Sequence, residues 1–122
     1  MRIEEKVWGE RWLIREDSVH TTNILKLKAG YRCSWHRHQE KYNLFAVITG
    51  KVGIAHREPG ETPSGQFIVT ERILEPGDML IIAPGYWHEF RVYEDGIMVE
   101  EMYVEYDDGD IEREKLGGPI DE

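Results

Sequence analysis

No stretch of this chain repeats its apolar residues every 3.6 positions, and this constrains the fold more than any other feature. A surface helix needs such a stripe to reach a core. The chain offers short apolar runs cut by turn residues instead. Across residues 21–28, Leu25 and Leu27 alternate with Lys26 and Lys28, the two-residue period of a half-buried strand. Ala29-Gly30 ends that run. Residues 44–48 and 52–56 read as a hairpin turning at Thr49-Gly50-Lys51. Residues 57–65 form a polar loop carrying two prolines and two glycines. Residues 67–69, 73–74 and 79–82 read as short strands, with a turn at Glu75-Pro76-Gly77-Asp78. Residues 87–93 and 97–106 read as two more, joined by Glu94-Asp95-Gly96, and 107–110 as an acidic surface turn. The pattern predicts an all-β sandwich or barrel with little helix.

The 122 residues fit one domain, 1–122, long enough to bury one sizeable core. Acidic residues outnumber basic ones, 24 against 15, for a net charge of -9. That balance argues against a nucleic-acid or anionic-membrane partner, since either needs a basic face. A small anionic ligand stays open, because one local cluster of Lys or Arg is enough for it. Cys33 is the only cysteine, so no internal disulfide forms. No apolar run approaches the roughly 20 residues that span a bilayer. Residues 1–6 lack the apolar centre of a signal peptide, and a cytoplasmic protein is expected.

Chemistry concentrates in the histidines. His36 and His38 sit two apart shortly after Gly30, so a strand would point both the same way. His88 follows Ala83-Pro84-Gly85-Tyr86-Trp87. Three imidazoles converging from neighbouring strands suit a divalent metal, zinc, manganese, iron or nickel, with positions left open for substrate. The competing reading is three polar side chains that hold no metal.

Two patterns carry a family resemblance. Gly30-x5-His36-x-His38-x4-Asn43-x6-Gly50 resembles the first cupin motif, and Gly77 followed by Pro84-Gly85-x2-His88 resembles the second. The resemblance implies a cupin-type double-stranded β-helix, a jelly-roll barrel with a metal in its mouth, commonly as a homodimer. Val7-Trp8-Gly9, the stretch from Gly30 to Gly50, and Asp110-Ile111-Glu112-Arg113 further resemble the sugar-metabolism branch, which includes type II mannose-6-phosphate isomerases and relatives of D-lyxose isomerase. Carried over residue by residue, the metal ligands are His36, His38 and His88, with Asn43 in the position the motif usually gives to glutamate. Glu40, of the same parity as His38, is an alternative fourth ligand if the strand reaches it. Val92 stands where the second motif usually ends in asparagine.

Three functions follow as expectations. The first is a metal-dependent isomerase or epimerase of a sugar or sugar phosphate, with Glu89 or Glu101 moving the proton. Strand alternation turns Glu89 away from His88 unless a bulge intervenes. The second is a three-histidine iron dioxygenase, which the absent glutamate favours. The third is a non-catalytic sugar-binding module. Lys41 or Arg37 would receive an anionic group of the ligand, and Cys33 reads as a small buried side chain.

Overall fold

The structure is a computed structural model that describes residues 1–60, 63–103 and 111–122. The expected acidic turn at 107–110, Asp110 and part of the 57–65 loop lie outside the described residues. Among the described residues, eleven strands, all antiparallel, join one curled sheet, and there is no helix. Among the described residues, no helix is long and apolar enough to cross a membrane.

Strands β1 (Arg2–Lys6), β2 (Gly9–Glu16) and β3 (His20–Leu27) form a meander. Two short strands follow, β4 (Tyr31–Arg32) and β5 (Trp35–Arg37). Next come β6 (Tyr42–Arg57), β7 (Val69–Leu74), β8 (Met79–Ile82) and β9 (Trp87–Tyr103). Strands β10 (Glu112–Lys115) and β11 (Gly118–Pro119) close the chain onto β5 and β4.

The longest strand, β9, organises the sheet. One edge of it pairs with β6 from Tyr42↔Tyr103 to Arg57↔Trp87. The other edge pairs with β4 and β5 in its first half and with β3 in its second. Two sequence expectations change here. Residues 44–48 and 52–56 are not a hairpin but the two halves of β6, and residues 87–93 and 97–103 are one strand, β9. The reason is a bulge. Gly50, at φ 89°, lies where the β6–β9 register shifts between Val47 and Val52. Inward side chains change parity across it, from Asn43, Phe45 and Val47 to Val52 and Ile54. A Cβ on Gly96 would stand 2.0 Å from the Thr49 carbonyl oxygen. Two glycines thus let both strands bend together at a barrel corner, where the dipeptide pattern alone suggests a reversal.

The core fills the space this bend encloses. Leu25, Phe45, Val47, Val52, Ile54, Leu74, Val92 and Met98 are each at most 1% exposed. Val92, the departure from the second motif, pairs in register with Val52 and is fully buried among these side chains. An asparagine there would face apolar neighbours, so the departure serves packing.

Candidate metal centre

The strand register brings the three histidines together. His36 on β5 stands directly opposite His88 on β9. His38 lies just past the end of β5, and its carbonyl accepts from the backbone N–H of Gly85 at 2.8 Å. Gly85 adopts φ 87°, so the turn leading into His88 is clamped to the strand carrying the other two rings. Ring centroids lie 5.0 Å apart for His36 and His38, 4.4 Å for His36 and His88, and 5.5 Å for His38 and His88. One potential ligand atom from each falls within 4.8 Å of the others.

Their protonation is readable from their partners. His36 Nδ1 lies 2.7 Å from the Ser34 carbonyl oxygen, and His88 Nδ1 lies 3.0 Å from that of Tyr86. A carbonyl oxygen only accepts, so each Nδ1 carries the proton and donates it. That fixes the tautomer that leaves Nε2 with a lone pair. His88 Nε2 is buried and has no hydrogen-bond partner among the described residues. Burial, then the neighbouring rings, holds His36 well below the ordinary imidazole range. Burial lowers His88 to about 3. Neutral rings with inward lone pairs are the donors a divalent cation requires, and a buried acceptor left unpaired costs about 1–3 kcal/mol that a cation would offset. The residues fit such an ion.

The centre opens into a cavity of about 530 Å³. His36 and His38 line it, with Trp8, Leu25, Phe90 and Met102 as an apolar wall. Trp8 stands edge-on to Phe90 at 4.9 Å, which makes it a wall of the cavity. Lys6, Arg11, Lys41 and Arg113 also line the cavity, with Glu100 as the single carboxylate among the described lining residues. Arg113 arrives because β10 pairs with β5, placing it opposite His36. Among the described residues, cations thus gather at this opening in a chain of net charge -9.

The remaining candidates divide. Asn43 is 1% exposed and donates its Nδ2 to Glu100 Oε2 at 3.1 Å; its Oδ1 is buried without a hydrogen-bond partner among the described residues. Strand β5 ends at Arg37, and Glu40 is exposed beyond it. Glu89 faces away from His88, as alternation requires, and accepts from Arg91 Nε at 2.9 Å. Glu101 accepts from Thr22 Oγ1 at 3.3 Å and lies 3.4 Å from His20 Nε2. Neither glutamate lines the cavity. Arg37 pairs with Glu112 at 2.6 Å and stacks over Trp87. Cys33 is buried and accepts from the Phe90 N–H at 3.1 Å; burial pushes its thiol up, so it stays protonated.

Glu100 is the residue that sequence reasoning missed. Its Oε1 accepts from Asn23 Nδ2 and its Oε2 from Asn43 Nδ2, both at 3.1 Å. Burial raises its pKa, against the pull of both amides and of the Arg11 and Lys41 charges. A signal was available: Glu100 shares strand parity with Met98 and Met102, both buried.

No family model matches the sequence, and no curated protein does. Solved structures match its fold. CapF, a capsular polysaccharide assembling protein from Staphylococcus aureus, superposes at TM-score 0.73 with 20% identity over 94% of this chain. This chain spans only 32% of that CapF chain. KdgF from Halomonas sp. superposes at 0.70 with 15% identity, covering 88% of this chain and 92% of its own. An RmlC-like cupin from Shewanella frigidimarina gives 0.69 with 14% identity, covering 88% and 86%. The fold is the cupin jelly-roll barrel expected from the two histidine motifs. At such identities the likeness concerns the fold.

Proposed function

We propose that this chain is a metal-dependent enzyme acting on a sugar or sugar phosphate, as an isomerase or epimerase. The observation that carries the reading is the three-imidazole cluster, its ligand atoms within 4.8 Å of one another, at the edge of an open cavity. His36, His38 and His88 would hold the ion, with Asn43 as the candidate fourth ligand. A bound divalent metal supplies Lewis-acid polarisation of a carbonyl and its neighbouring hydroxyl. The chain's own residues do the rest. Ser34 and Tyr86 hold the imidazoles in register through their carbonyls. Trp8 and Phe90 exclude water from one side of the ligand. Lys41 and Arg113 favour an anionic substituent such as a phosphate. A carboxylate would move a proton between adjacent carbons; Glu89 and Glu101 are sequence candidates, but both are engaged away from the cavity.

Incubating the protein with aldoses and their phosphates, with manganese, zinc, iron or nickel added in turn, tests the reading. Interconversion with any pair supports it, and none across the panel refutes it. A second reading, a three-histidine iron dioxygenase, is favoured by the absence of any carboxylate from the metal-capable group among the described residues. One structure of the same fold, at TM-score 0.61 and 13% identity, is a hydroquinone 1,2-dioxygenase, PnpCD, in complex with Cd2+. Oxygen uptake above an iron-only control would establish that alternative. The reading extends to a homodimer, supported by Phe67, Ile68, Val69 and Ile73, which are all exposed in or beside strand β7.

A further inference from the structure

Among the described residues the cavity holds one carboxylate, Glu100, and its setting is unusual. Three strands converge on it: Asn23 from β3, Asn43 from β6 and Glu100 from β9. Both asparagines are essentially buried, at 0% and 1% exposed. Each spends an amide N–H on one Glu100 oxygen. Rotating either amide by half a turn would set its oxygen against the carboxylate, so both orientations are fixed by the acid they hold. The carboxylate is thereby locked in rotation and position.

A carboxylate accepts about four hydrogen bonds, two at each oxygen. The amides fill one site on each, and Glu100 lines the cavity. Asn23 Oδ1 and Asn43 Oδ1 are buried with no hydrogen-bond partner among the described residues, but neither asparagine lines the cavity, so the acceptor a ligand there meets is Glu100. Glu100 therefore has acceptor sites to spare toward the cavity, beyond the one N–H that each amide gives it. Its complement is a ligand rich in donors. The cations around Glu100 argue against an ammonium group as that donor, because Arg11 and Lys41 already act on the carboxylate electrostatically. Neutral O–H groups remain.

We infer that Glu100, racked between Asn23 and Asn43, is a ligand-binding carboxylate that accepts from hydroxyl groups of a polyhydroxylated ligand lying across the cavity. This deepens the sugar reading by naming the residue that recognises the hydroxyls, and it requires no turnover. It rests on that reading only for the choice of ligand class.

The test uses the chain as purified and two unreactive probes, mannitol and its fully O-methylated derivative, followed by isothermal titration. The second probe accepts hydrogen bonds but donates none. Mannitol should bind the wild type and the methylated probe should not. Glu100→Gln, which keeps the shape and lets Asn43 turn its free oxygen toward the new amide, should weaken mannitol binding about 10-fold or more. Glu100→Asp, which retains the acceptor charge but withdraws it by one methylene, should fall between. Metal content and thermal midpoint, measured on each variant, separate loss of recognition from loss of the site or fold. Equal binding by Glu100→Gln and wild type, equal binding of both probes, or no mannitol binding at all would overturn the inference. Glu100-dependent binding of mannitol without interconversion of any aldose would uphold it and refute the isomerase.

Discussion

Replacing Asn43 by aspartate probes the amide–carboxylate rack with almost no change of volume. The variant removes the N–H that Asn43 gives Glu100 at 3.1 Å and puts a second carboxylate in its place. A hydrogen bond to a charged group contributes about 1.5–3 kcal/mol. Two like charges about 4 Å apart at an effective dielectric of 20 repel by about 4 kcal/mol, relieved in part if one takes up a proton. The metal-free variant at pH 8 should therefore lose at least about 3 kcal/mol. Unfolding entropy near 2.1 cal/mol/K per residue turns that into a fall in Tm of about 12 °C for 122 residues. Circular dichroism melts in the presence of chelator measure it. The decisive arm is the exchange of partners. Asn43→Asp combined with Glu100→Gln restores one amide and one carboxylate in swapped positions, and should recover most of the lost stability. The reasoning fails if Asn43→Asp melts with the wild type, or if the double variant is no more stable than Asn43→Asp alone.

His36→Ala with His88→Ala should abolish divalent metal retained through chelator-free purification, as read by mass spectrometry of metal content; retention in the double variant would refute the centre. His88, lowered to about 3, stays neutral when folded but charges near pH 6.5 when unfolded. The unfolded state therefore binds more protons below pH 6.5, and metal-free stability should fall with decreasing pH, by about 1.4 kcal/mol per unit from His88 alone. Denaturant titrations between pH 7 and pH 5 check the sign. Gly96→Ala drives a Cβ to 2.0 Å from the Thr49 carbonyl oxygen. It should cost about 1–3 kcal/mol or more by overpacking the bend shared by β6 and β9.

Period-two alternation and turn residues made the all-β architecture legible, because burial of one sheet face imposes that period whatever the partner strand. His36, His38 and His88 were legible for a related reason. Two positions of separation on a strand means a shared face, and the third ring was marked by its own turn. Bends were harder to read. Thr49-Gly50-Lys51 and Asp95-Gly96 look like reversals in one dimension, and only the close approach of the two glycines makes them a paired bulge in continuous strands. The carboxylates show the same division. Glu89, Glu100 and Glu101 are alike in composition, and local sequence offers only parity to separate them. By itself the sequence determined which residues alternate and which turn, since those depend on neighbours along the chain. Tertiary structure decided which carboxylate enters the cavity and which cations accompany it. Asn23, Asn43 and Glu100 come from three strands far apart in sequence, and only the register of the closed sheet sets their side chains against one another.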